Sequence, residues 1–320
     1  MMEKGQDYGT SPLGFLLVGM RDVPMPQAGL FLLSLIIYLV TVLGNILIVV
    51  LVVAEQCLHT PMHFFLGNLS SLETFYSSTI LPRLLASLLT GHRTISAHGC
   101  VAQFYFFAAF ATTECYLLAV MSYDQCLAIC QPLLYASLMT WKVCLQLAAG
   151  SWLLGLLVST VLTSFLPQLQ FCGPRTIDHF FCDFTPLLEL ACGHTSTATL
   201  VAFIFGFSDV VFPLLFTLAS YVCIIAAILR IPSNVGRQKA FSTCSSHLGS
   251  LFVVYVLPRT TPLRQLSKVF SFFYAVLTPL VNPLIYSLRN KEVRGALRKG
   301  LRKALASTQT LEFALDHGVE

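Results

Sequence analysis

The chain has 320 residues, of which 56% are hydrophobic and only 11% charged, with a formal net charge of +4. An ordinary soluble domain carries about a quarter charged residues, so this composition excludes a soluble enzyme or a nucleic-acid-binding module and points to an integral membrane protein. The apolar runs are too long and unbroken for the alternating strands of a membrane barrel, and lipid otherwise tolerates only helices.

Seven spans follow in chain order, at about 28–53, 61–88, 99–123, 142–166, 197–229, 238–257 and 269–288. The stretch before the first holds charges and prolines without a cleavable apolar core, so span one is expected to direct insertion. An odd count puts the termini on opposite sides. Arg289, Lys291, Arg294, Arg298, Lys299, Arg302 and Lys303 after span seven, with Arg230, Arg237 and Lys239 between spans five and six, put the C-terminus inside and the N-terminus outside. The opposite face carries Arg93, Arg175, Arg259, Arg264 and Lys268, so the bias is modest. Residues 290–303 space Val293, Leu297 and Leu301 at helical intervals between basic residues. That pattern suits an amphipathic helix on anionic inner-leaflet lipid; a solvated basic tail is the alternative. Residues 1–303 read as one seven-helix domain, and 304–320 as a short cytoplasmic tail.

Seven of the eleven cysteines fall within spans or on the inner side, and these read as small apolar packing residues. The other four, Cys100, Cys172, Cys182 and Cys192, map to the outer face, where an oxidising environment favours bridging.

Polar residues inside lipid are costly and must be paired or used. Spans one and two hold Asn45, Asn68, Ser70 and Glu73; span three holds Glu114 and Asp124; span five holds Asp209; span seven holds Asn282. Glu73 and Glu114 sit near mid-depth on adjacent spans, where two ionised carboxylates require a cation or a shared proton between them. A monovalent cation site, one carboxyl kept neutral, and plain interhelical hydrogen bonding remain open. No metal-ligand cluster and no nucleophile stand beside Asp124, so no metal, cofactor or catalytic role is expected.

The fragments GN at Gly44 and Asn45, LHTPMHFFLGNLS from Leu58 to Ser70, MSYDQCLAIC from Met121 to Cys130, SY at Ser220 and Tyr221, KAFSTCSSHL from Lys239 to Leu248, and PLVNPLIYSLRNKEV from Pro279 to Val293 follow one another on the proper spans. Together they resemble the odorant receptors, a family of rhodopsin-like G-protein-coupled receptors, over about residues 10–303. The resemblance implies an all-α seven-helix plasma-membrane bundle that binds small volatile molecules and activates a stimulatory G protein, with no cofactor and no nucleic-acid partner. It implies bridges from Cys100 to Cys182 and from Cys172 to Cys192. Beneath the outer loop it implies an apolar ligand cavity lined by Phe104, Phe107, Ala108, Ala111, Thr112, Phe205, Asp209, Tyr255, Phe272 and Ala275. Lipid-facing or interhelical packing is the alternative for each aromatic.

The resemblance also makes Asp124, Gln125, Tyr221, Asn282 and Tyr286 parts of a conformational switch. In the family an Arg follows the Asp; here Gln125 does, without the charge or the five-donor fork, and Cys126 replaces the usual Tyr. Between KAFSTCSSHL and YVLP only GSLFVV intervenes, whereas the family pattern has about seven more residues, or about 10 Å of helix. His63 and Glu73 stand where the family has Tyr and Asp, and the sequon at Asn68–Ser70 lies inside span two, leaving the N-terminal segment without one. A receptor with impaired folding or signalling is therefore one alternative, and an ion-coupled transporter or channel using Glu73, Glu114 and Asp209 is a more distant one. Against the transporter stand the odd span count and the lack of paired broken helices. A retinal-binding opsin needs a lysine inside span seven, and only Lys268 is near, at its outer edge.

Overall fold

A computed structural model describes residues 14–19, 26–172, 175–230, 279–280 and 293–299. Span six lies outside the described residues, as does span seven apart from 279–280, and with them Tyr255, Phe272, Ala275, Asn282, Tyr286 and Cys244.

The described elements run β1 (Gly14–Leu17), α1 (Gln27–Ala54), α2 (Pro61–Thr90), β2 (Thr94–Ser96), α3 (Ala97–Cys130), α4 (Pro132–Leu138), α5 (Trp141–Ser164), β3 (Thr176–Ile177), α6 (Phe184–Leu190), α7 (Ser196–Leu229) and α8 (residues 293–299). The apolar-inside rule of soluble proteins is inverted on α1. Its buried stripe is Leu30, Ser34, Thr41, Asn45, Ile48 and Leu51, while Leu32, Ile36, Leu43, Val50 and Val53 face outward. Lipid tails solvate leucine as well as a protein interior does, so polar and small side chains are the ones that gain by turning inward.

Helices α1, α3, α5 and α7 are each long and apolar enough to cross a membrane. Helix α2 is the most polar and carries the longest set of buried residues after α3, His63, Ser70, Glu73 and Ser77 among them. It packs between α1 and α3, which shelters those groups from lipid. Helix α3 is the central post, touching α2, α5 and α7. It starts at a Ser96 cap whose Oγ accepts from the Gly99 amide at 3.1 Å. It continues to Cys130, past the end expected at 123: bilayer thickness limits the apolar run, whereas the helix carries on into the aqueous side. Asp124 and Gln125 are therefore buried inside a continuous helix.

Helices α3 and α5 come together tightly at Gly155, where a β-carbon would overlap Thr113 Oγ1 and the Ala109 carbonyl. The α5 seam reads Cys144, Ala148, Ser151, Gly155, Val158 and Ser159, nearly all small, and Ser159 Oγ donates to the Tyr105 carbonyl across it.

A three-stranded sheet in the order β2-β1-β3 lies at the end of the bundle where α3 begins, β1 pairing antiparallel with β2 and parallel with β3. Cys100 and Cys182 are bridged with Cα atoms 5.4 Å apart, and Cys172 and Cys192 at 5.8 Å. At the other end Val293 and Ala296 of α8 are buried in the main core while Arg294, Arg298 and Lys299 are exposed, so α8 is an amphipathic helix docked on the bundle.

Candidate functional site

The connection between α5 and α7, which carries β3 and α6, forms a lid that is tied to α3 by a disulfide, a hydrogen bond and aromatic contacts. Beside the bridge to Cys182, Gln103 spans two elements: its Oε1 accepts from the Cys182 amide at 3.0 Å, and its Nε2 donates to the Thr79 carbonyl of α2 at 3.1 Å. Phe104 and Phe107 meet lid aromatics, Phe184 at 5.4 Å and Phe181 at 4.7 Å between ring centroids, and Phe107 also meets Tyr76 at 5.6 Å. Ala108 and Ala111 follow on α3, half-buried.

Below these aromatics, Thr112 Oγ1 donates to Asp209 Oδ2 at 3.2 Å, and Tyr116 lies near the same carboxyl. Phe205 stands one turn toward the outer side of Asp209 on α7, half-buried. The described residues thus bring Thr112 and Asp209 into contact and set Phe104 and Phe107 beneath the lid. Gln103 and Tyr116 were not legible as site residues from the sequence. Tyr116 carries a signal in hindsight, since it lies one turn after Thr112 and so faces the same neighbour.

At mid-depth Glu73 and Glu114 are both fully buried, in the region where Ser77 Oγ donates to the Glu73 carbonyl at 2.8 Å. Asn45 Nδ2 donates to the carbonyls of Thr41 and Pro279, which links α1 to residues 279–280.

At the end of the bundle that carries α4 and α8, Asp124 and Gln125 each find a partner. Asp124 Oδ1 accepts from the Tyr135 hydroxyl of α4 at 2.8 Å. Burial, and then the adjacent Asp124 carboxylate, push the Tyr135 phenol up from its ordinary value, which keeps it the donor of this bond. Gln125 Oε1 accepts from the Tyr221 hydroxyl of α7 at 3.4 Å. An arginine at that position has only donors, so this polarity of bond exists because the residue is glutamine. Ser122 and Thr217 add a second α3–α7 hydroxyl contact at 3.4 Å. Lys299 of α8 pairs with Glu55 at 2.8 Å, and that carboxylate holds the ammonium above its usual range. Tyr135 was missed by sequence reasoning because its partner Asp124 lies on the preceding helix, α3, and meets it only once the chain has turned at Gln131. Among the described residues no group of three or more His, Cys, Asp and Glu could hold a metal ion.

The family description "Olfactory receptor" matches residues 33–304. Olfactory receptor 2D2 of Homo sapiens is 47% identical over 292 residues, covering 89% of this chain and 94% of the relative. Olfactory receptor 6P1 of Homo sapiens is 48% identical over 292 residues, covering 89% and 92%, and Olfactory receptor 5B21 of Mus musculus is 46% identical over 296 residues, covering 90% and 93%. Family match, near-complete coverage and the helical bundle agree: the chain belongs to the olfactory receptor family, the seven-helix G-protein-coupled receptors that are multi-pass proteins of the plasma membrane.

Proposed function

We propose that this protein is an odorant receptor whose ligand sits beneath the lid, against Phe104, Phe107, Ala108, Ala111 and Thr112 of α3 and Phe205 and Asp209 of α7, with Tyr255, Phe272 and Ala275 completing the wall. The observation that carries the reading is the aromatic layer of α3 under a disulfide-tied lid, with one polar group, the Thr112–Asp209 pair, below it. Affinity for a small volatile comes from apolar area removed from water, and a single polar contact fixes orientation. Binding is passed to a stimulatory G protein on the inner face, with the N-terminus outside, the C-terminus cytoplasmic and the basic face of α8 toward anionic lipid. Membership in a receptor family favours this reading over a transporter.

The test is expression of the full chain in cells with a cyclic-AMP reporter, surface level measured in parallel, against a broad odorant panel. An agonist is expected whose response falls at least about tenfold in Phe104→Ala, at unchanged surface level, because the truncation removes roughly 2–3 kcal/mol of apolar contact. A surface-delivered chain silent across the panel counts against the reading.

A second reading, a receptor with weakened signalling, is supported by the Tyr221 to Gln125 hydrogen bond, which occupies the position of the family's arginine with a neutral clasp. Asn282 and Tyr286 belong to the same proposed switch. Glu73 and Glu114 are proposed as a monovalent cation site, a reading supported by the complete burial of both carboxyls on adjacent helices.

A further inference from the structure

We propose that the outer mouth of the bundle holds a binding site for a small monovalent anion, between Arg83 of α2 and Arg93 of the turn before β2. Both arginines line one small cavity, together with Leu17 of β1, two leucines of α2, Ser87 and lid residue Phe180. Its free space suits one particle the size of a water molecule or a halide ion.

Neither arginine has a carboxylate partner among the described residues. Arg83 donates through one terminal nitrogen to the Thr94 carbonyl, while its Nε is buried without an acceptor. Arg93 contributes its backbone carbonyl to the Leu17 amide at 3.0 Å, and its side-chain fork has no acceptor among the described residues. Ser87 cannot add a donor, because its hydroxyl proton is spent on the Leu84 carbonyl at 2.9 Å. Two positive groups sharing a lidded cavity repel each other, and a buried charged donor without an acceptor is costly. Water would satisfy the Nε proton but not the charge; one monovalent anion satisfies both.

The recognising chemistry is that of a compact acceptor carrying a single negative charge, such as chloride or formate. Such an ion ties α2 through Arg83 to the turn before β2 through Arg93, and so stabilises the outer cap rather than the odorant pocket below it.

Purified full-length receptor in neutral-lipid nanodiscs is unfolded thermally while sodium chloride replaces sodium gluconate at constant sodium and ionic strength, so that screening is unchanged. The midpoint is expected to rise saturably by about 2–4 °C in chloride. Sodium formate is the second arm: a rise in both salts assigns the site to small anions generally, and a rise in chloride alone assigns it to halides. Arg93→Gln should abolish the rise. Should that variant fail to fold, Arg93→Lys decides, since loss of the planar fork should move the half-saturation point upward about tenfold. Equal midpoints in chloride and gluconate for the wild type overturn the proposal, as does a full rise retained in the Arg93 variants.

Discussion

Replacing Gly155 by alanine tests the α3–α5 seam, on which the central post depends. The added β-carbon overlaps Thr113 Oγ1 and the Ala109 carbonyl oxygen, with the Thr113 amide nitrogen at 3.2 Å. These are the two ends of an α3 hydrogen bond of 2.8 Å, and one of them is backbone, so no rotamer change clears the space. Helix α5 must retreat by about 1 Å, and a gap of that size forfeits a quarter to a half of the dispersion attraction of each contact along the seam. Overpacking of this kind costs about 1–3 kcal/mol, offset by up to about 1 kcal/mol of better helix propensity for alanine. The expected net loss of about 1–2 kcal/mol lowers the thermal midpoint by about 2–8 °C. The assay is thermal unfolding of purified receptor, with surface level followed through an extracellular epitope. Adding Thr113→Ala should recover only part of the loss, because the Ala109 carbonyl remains. A Gly155→Ala receptor with a midpoint within about 1 °C of wild type and full surface level would refute the reasoning.

Thiol labelling of intact cells should find Cys100 and Cys182 unreactive in surface-delivered receptor until a reductant is added; labelling of both without reductant contradicts the bridge. Gln125→Arg should raise basal or agonist-driven cyclic AMP at about unchanged surface level, and Tyr221→Phe, which removes the donor of the neutral clasp, should do so less; no change in either removes the clasp from the switch. Tyr135→Phe takes the donor from a buried carboxylate and should destabilise the receptor by about 1–3 kcal/mol, read as a lower midpoint. The raised Tyr135 phenol keeps its proton up to and beyond the unfolded tyrosine value of about 10, and the contact is lost as pH rises through the higher folded value, so its contribution should be flat over about pH 8 to 9. Glu73→Gln and Glu114→Gln should each leave folding intact and remove any sodium sensitivity of the odorant response, with strong coupling in the double variant; additive, independent effects would separate the two carboxyls.

Composition by itself determined the solvent, and the solvent determined helices. The long apolar helices were legible because bilayer thickness writes itself into the length of an apolar run, as at α1 and α7. Family motifs were legible because they are local strings, such as Met121 to Cys130. Tertiary structure alone decided what those strings touch. The sequence leaves Asp124 beside Gln125, whereas the fold sends Asp124 to Tyr135 on α4 and Gln125 to Tyr221 on α7. Strand β1 gives no local signal, since Gly14–Leu17 carries no alternation of its own and becomes a strand only because β2 and β3 offer their backbone groups on either side. Gly155 reads as one more small residue in an apolar run until α3 is laid against it. The division has one physical cause: lipid exposure acts on each residue separately and so leaves its mark along the chain, whereas hydrogen bonds and close packing inside the bundle act between residues that are neighbours only after folding.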